Sequence, residues 1–104
     1  MNFSDAASKS ALHYGFLLSL KNEIVKIHPQ GRANVVAPGW VSTPMALESL
    51  KNPRIKGAAM ATTPLKKIAT PEDVANTIAF LASSKLSGHI SGEIITVYLP
   101  TVRF

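Results

Sequence analysis

Arg32-Ala33-Asn34-Val35-Val36-Ala37-Pro38-Gly39-Trp40-Val41-Ser42-Thr43-Pro44-Met45 is the stretch on which the reading of the chain turns. Its first part, Ala33 to Ala37, is short, β-branched at Val35 and Val36, and does not alternate apolar with polar residues. Bounded by Gly31 and Pro38, such a run suits a strand covered on both faces, as in a parallel sheet. Pro38-Gly39 ends the strand abruptly, and a loop continues to Met45.

Upstream, residues 4–27 read as one long amphipathic helix. Leu12, Phe16, Leu20, Ile24 and Ile27 recur at spacings of three and four, the period of a buried stripe, and Ala11 and Leu17 widen it. Ser4 is the expected N-cap, with Asp5 placed well against the positive helix end. His28-Pro29-Gln30-Gly31 is the stop signal, because the residue before proline leaves the α region and glycine accepts positive φ.

Downstream, residues 45–51 read as the start of a short helix, and 52–69 as a short helix or loop. Thr70-Pro71-Glu72-Asp73 announces a helix more clearly: a capping hydroxyl, proline at the first helical position, then two carboxylates in the first turn. Val74, Ile78 and Leu81, with Ala75, Phe80 and Ala82, supply its expected buried face through about residue 84. A glycine-containing turn over 87–92 leads into a second β-rich run, Glu93 to Tyr98. The order helix–strand–loop–helix–strand predicts an α/β unit with two parallel strands and a right-handed crossover. Residues 1–104 read as a single unit.

Composition narrows the function classes. The 104 residues carry 11 Lys+Arg against 6 Asp+Glu, a net charge of +5, with 46% hydrophobic and only 16% charged residues. That excludes a disordered chain, which needs low hydrophobicity and high charge. No apolar run approaches the ~20 residues that span a bilayer, and no secretory signal opens the sequence. There is no cysteine, so disulfides, thiolate nucleophiles and thiolate metal sites are excluded. The cations are distributed along the chain with Lys66-Lys67 as the longest run, and the seven aromatics sit mostly in apolar stretches. This reads as solvated charge, without a nucleic-acid or membrane partner, in a cytoplasmic protein. His13, His28 and His89 lie far apart with no carboxylate at ligand spacing, so no metal site is expected. Glu72 and Asp73 are read as helix-capping carboxylates, and no Gly-x-Ser-x-Gly turn is present.

Three segments in register carry a resemblance: Ala6-Ala7-Ser8-Lys9-Ser10-Ala11, the stretch from Arg32 to Met45, and Thr70-Pro71-Glu72-Asp73-Val74-Ala75 followed by Phe80-Leu81 and Ser91-Gly92-Glu93-Ile94-Ile95-Thr96-Val97. Together, from Ser4 to Val97, they resemble the C-terminal part of a short-chain dehydrogenase/reductase. The resemblance implies a partial Rossmann-type doubly wound fold, lacking the N-terminal dinucleotide-binding half, and an oxidoreductase using NAD or NADP on a carbonyl or alcohol. It also implies that Lys9 is the catalytic lysine, which binds the nicotinamide ribose. Pro38, Gly39, Val41 and Thr43 become cofactor-binding residues, with backbone groups at Val41 meeting the nicotinamide carboxamide and the Thr43 hydroxyl helping to hold cofactor.

The sequence departs from the family pattern at defined places. The family's proton donor is a tyrosine four residues before the lysine, one helical turn away, where the ammonium lies beside the phenol and lowers its pKa. Asp5 stands there instead, and a carboxylate is ionised at neutral pH with no proton to give. Tyr14, five residues beyond Lys9, is on the wrong side of the helix, and Ser8 and Ser42 do not match the family's serine. The six glycines are scattered singly, so these residues contain no glycine-rich pyrophosphate turn. Tyr98-Leu99-Pro100-Thr101 also departs from the family's tail. Two expectations follow. One is an oxidoreductase fragment, inactive as the 104-residue chain. The alternative is a non-catalytic remnant serving as an oligomerisation or partner-binding module, joining a second copy or a full-length relative through the 4–27 helix.

Overall fold

The computed structural model describes residues 3–97. In chain order it contains α1 (Phe3–Ser10), a π-helical segment (Ala11–Phe16), α2 (Leu17–Ile27), β1 (Val35–Pro38), α3 (Pro44–Leu50), α4 (Pro53–Ala61), α5 (Pro71–Ala82), α6 (Ser84–Ser87) and β2 (Ile94–Val97). The two strands pair in one sheet. The Val35 N–H donates to Glu93 C=O at 2.9 Å and the Gly39 N–H to Val97 C=O at 3.1 Å. Both residue numbers rise together, so the strands are parallel, as the sequence predicts. Tyr98, the expected end of the second strand, lies outside the described residues. No helix among the described residues is long and apolar enough to cross a membrane.

The chain divides into two compact units, one from residues up to 35 with 80–95, the other from 36–79 with residues from 96 on. In the first, the predicted long helix forms over 3–27 but carries a π turn in its middle. Its bonds run i→i+5, so the turn takes one extra residue and rotates everything before it by about one residue's 100°. The inward line differs from the expected stripe. Leu12 and Phe16, expected inside, are 51% and 57% exposed, whereas Leu17 is buried at 2%. Leu20 and Ile24 are half-buried and Ile27 is exposed. Ser4 lies within α1 instead of capping it; Asp5 is in the first turn as expected.

The helix stops where the sequence says, with His28 extended at φ −141°, ψ 121°. Gly31, however, is required for space and not for positive φ. A Cβ there would lie 2.8 Å from Ile24 Cγ1 and 3.0 Å from two carbonyl oxygens. Positive φ falls instead on Gly92, at 82°, where an added Cβ would collide with the aliphatic stem of Lys21. Polar side chains fasten the segment before β1 to the turn before β2. The Asn34 Nδ2 donates to Ile90 C=O at 3.0 Å, and its Oδ1 accepts from the Glu93 N–H at 3.1 Å. The buried Ser87 Oγ sits 2.7 Å from Phe80 C=O and accepts from Arg32 Nη1 at 3.4 Å.

In the second unit, α3 and α4 begin as capped helices. Thr43 Oγ1 accepts from the Ala46 N–H at 3.3 Å, and Asn52 Oδ1 from the Arg54 N–H at 3.0 Å, each cap followed by proline. The region 52–69, read as helix or loop, is therefore a nine-residue helix and a turn. Its buried Thr63 donates its hydroxyl to Ala59 C=O. Thr70 and Asp73 form a reciprocal cap on α5: the Thr70 N–H donates to Asp73 Oδ2 at 2.8 Å and the Asp73 N–H to Thr70 Oγ1 at 3.2 Å. Leu81 of α5 is buried, but Val74 is half-buried and Ile78, Ala75, Phe80 and Ala82 are exposed. The strands are also only half-buried, not covered on both faces. Two four-residue strands offer too little surface to cover apolar helix faces of this width.

Candidate functional site

Site residues occur in each unit. In the first, Lys9 closes the last turn of α1, with its side chain 62% exposed. Its Nζ lies 3.1 Å from Asp5 Oδ1, one turn back on the same face. The i, i+4 spacing alone brings them together, as it would bring a phenol and an ammonium together. Tyr14 is exposed, and its ring meets the His13 ring edge-on at 6.4 Å between centroids.

The second unit holds Pro38, Gly39, Val41 and Thr43 on one continuous path. Pro38 is the last residue of β1, and the next N–H, that of Gly39, still belongs to the ladder through Val97 C=O. Two residues on, Val41 forms a parallel bridge with Ala69. The Ala69 N–H donates to Trp40 C=O at 3.2 Å, and the Ser42 N–H donates to Ala69 C=O at 2.9 Å. In a parallel bridge those bonds use the flanking residues, so both backbone groups of Val41 point away from Ala69. The Val41 C=O accepts from the Thr43 N–H at 2.7 Å. The Val41 N–H has no acceptor among the described residues, although Val41 is half-buried.

A half-buried N–H without a partner costs free energy unless water or a ligand accepts from it. The Thr43 hydroxyl accepts from the Ala46 N–H through its oxygen and keeps its own hydrogen to donate. The loop that starts at Pro38-Gly39 thus carries two hydrogen-bond donors, the Val41 N–H and the Thr43 hydroxyl. Ala69, the residue that fixes the orientation of Val41, was not singled out from sequence. Its signal is positional: it directly precedes the Thr70-Pro71 helix start, where a short strand residue can sit. Among the described residues no group of three or more His, Asp or Glu side chains could hold a metal ion.

The structure moves the titration of Asp73. The backbone N–H and then the hydroxyl of Thr70 hold its carboxyl below the usual carboxylate range, with burial opposing them and Lys67 adding to them. This is helix capping, as the sequence indicates, and not acid–base chemistry.

Comparison with known proteins places this geometry in context. Residues 7–98 match the family described as Enoyl-(Acyl carrier protein) reductase. The 3-oxoacyl-[acyl-carrier-protein] reductase MabA of Mycobacterium bovis is 40% identical over 94 residues, which are 88% of this chain and 35% of that protein. A short chain dehydrogenase family protein from Francisella tularensis superposes with a TM-score of 0.76 at 27% identity, over 92% of this chain and 42% of that one. A structure from Beutenbergia cavernae with NADP bound at low occupancy gives 0.75 at 30% identity, over 88% of this chain and 35% of that one. The chain thus spans about a third of the length of curated relatives that it matches.

Proposed function

Because the chain belongs to the short-chain dehydrogenase/reductase family, we propose that it is the C-terminal part of a cytoplasmic NAD(P)-dependent oxidoreductase acting on a carbonyl or alcohol. The Val41 N–H, which has no acceptor among the described residues, is the observation that supports this reading. The nicotinamide dinucleotide, when bound, supplies or accepts the hydride. Val41, through its N–H, and Thr43, through its hydroxyl hydrogen, would hold the carboxamide of the nicotinamide. Pro38 and Gly39 end the strand and clear the approach. Lys9 offers its ammonium to the ribose hydroxyls. The name of the mycobacterial relative makes a 3-oxoacyl thioester the first substrate to assay.

The 104 residues by themselves are proposed to be inactive. They contain no glycine-rich turn for the pyrophosphate, and the phenol's position beside Lys9 is held by Asp5, which is ion-paired to it. That pair favours a second reading, in which the short chain is a non-catalytic module. Leu12, Tyr14 and Phe16, exposed on the first helix, would then engage a second copy or a full-length relative.

One experiment separates the two readings. An antibody to residues 70–97 is used to capture the native polypeptide and to read its mass and its NAD(P)H-dependent reductase activity. A species well above 11.1 kDa that carries activity supports the enzyme reading. An inactive 11.1 kDa species supports the module.

A further inference from the structure

The bridge between Val41 and Ala69 stands outside β1 and β2. Two backbone bonds make it, the Ser42 N–H to Ala69 C=O at 2.9 Å and the Ala69 N–H to Trp40 C=O at 3.2 Å. Two hydrogen bonds between loop segments do not by themselves offset the entropy of holding those segments in register. On the Val41 side the sheet supplies the missing restraint, because the Gly39 N–H, two residues earlier, is bonded to Val97 C=O. On the Ala69 side it comes from the start of α5. We propose that Asp73 is a positioning residue for the Val41 N–H, acting through Thr70 and Ala69; the proposal rests on the reading of that N–H as a donor to the nicotinamide carboxamide.

A single peptide unit carries the connection. The Ala69 C=O accepts from the Ser42 N–H, and the N–H of the same Ala69–Thr70 peptide donates to Asp73 Oδ2 at 2.8 Å. The peptide is planar, so turning its N–H toward or away from Asp73 turns the carbonyl with it. An ionised acceptor also polarises the amide, which makes the carbonyl a stronger acceptor for Ser42. Removing the carboxylate therefore weakens the bond that orients Val41, although Asp73 touches neither Val41 nor Ser42 through any bond described.

Thr70 is held from two further directions. Its hydroxyl accepts from the Asp73 N–H at 3.2 Å, and Pro71 after it keeps its backbone in the extended region. Ala69 itself is buried, which leaves the pair little room to take another register. The bridge, the Gly39–Val97 bond and the cap all lie within the second compact unit. A cap that served α5 alone would leave the bridge unchanged when removed. A cap that positions Val41 must loosen Ser42 and Ala69 while the sheet bond at Gly39 persists.

Hydrogen exchange of single backbone amides in the 104-residue chain, read by nuclear magnetic resonance, separates these. Asp73→Ala is expected to lower the protection of the Ser42 and Ala69 amides roughly tenfold relative to that of Gly39. Asp73→Asn, whose amide oxygen still accepts from the Thr70 N–H, should keep both within about threefold. Val74→Ala, which weakens α5 without removing the cap, should leave the ratio to Gly39 unchanged. If circular dichroism shows Asp73→Ala unfolded, Thr70→Val replaces it, with about a threefold loss expected. Nicotinamide, added as the probe, should move the Val41 amide resonance of the parent, with half-saturation raised severalfold in Asp73→Ala. An unchanged ratio of Ser42 to Gly39 protection in Asp73→Ala, or an equal change of that ratio in Val74→Ala, would overturn the proposal. A parent Val41 resonance that nicotinamide leaves in place, with the exchange losses as expected, supports the coupling and counts against the cofactor reading instead.

Discussion

Lys9 and Asp5 form an ion pair across one turn of the first helix, Nζ to Oδ1 3.1 Å, with both side chains largely in solvent. An exposed pair at this spacing contributes only about 0.3–0.5 kcal/mol. Lys9→Ala should therefore shift a urea unfolding midpoint only slightly. The 104-residue chain mixed with NADPH and a 3-oxoacyl thioester should leave the NADPH absorbance unchanged. A decrease that Lys9→Ala abolishes would show the short chain to be catalytic after all.

Leu17 and Leu12 should behave oppositely although both belong to the same apolar pattern. Leu17→Ala removes a buried side chain and should cost about 2–4 kcal/mol. Leu12→Ala, at an exposed position, should stay within about 0.5 kcal/mol. If the helix joins two copies, sedimentation will show Leu12→Ala and Phe16→Ala weakening the assembly without loss of monomer stability.

Acidification should loosen the start of α5. The Asp73 carboxyl is held low by the Thr70 N–H and hydroxyl, so its stabilising effect is fully present above its unfolded value, near 4, and is lost as pH falls through the folded value. Amide exchange in the first turn of α5 should rise on that acid limb. In Asp73→Asn the same amides should exchange faster at neutral pH, and the difference from the parent should vanish at low pH.

Two glycine substitutions should have opposite signs. Gly92→Ala places a side chain at φ 82° and drives its Cβ into the Lys21 stem, at an expected cost of about 1–3 kcal/mol. The steric share of that loss should return in Gly92→Ala/Lys21→Ala, leaving the backbone share. Gly57→Ala fills open space within a helix and should gain about 0.5–1 kcal/mol. Thermal melts of the variants decide both signs.

The legible parts of this sequence were those set by neighbouring residues. Thr70-Pro71-Glu72-Asp73 specifies its own cap, His28-Pro29 its own stop, and the runs at 35–38 and 94–97 their parallel pairing. Asn52-Pro53 carries the same cap-then-proline signal as Thr43-Pro44, and the helix it starts was readable from that pair. The π turn over Ala11–Phe16 was not legible, because a single turn of wider helix leaves the composition of the segment unchanged, and the periodic stripe did not show that Leu12 and Phe16 are exposed. Burial across α5 was also misjudged at Ile78, since periodicity identifies an apolar face without saying how much surface exists to cover it. At the site, Lys9, Pro38, Gly39, Val41 and Thr43 came from family resemblance. The role of Ala69 depends on a long-range bridge that no local pattern encodes.

In the proposed cofactor site, what position 41 contributes is the main chain and not the valine. Any residue that preserves the bridge to Ala69 leaves the same N–H pointing the same way, so isoleucine, threonine or alanine would keep the donor. Proline alone among the coded residues erases it. Such a contact is inherited as the path of the backbone. Two chains can share it without sharing a single identical side chain along the loop, and a side-chain scan of the position would register almost nothing.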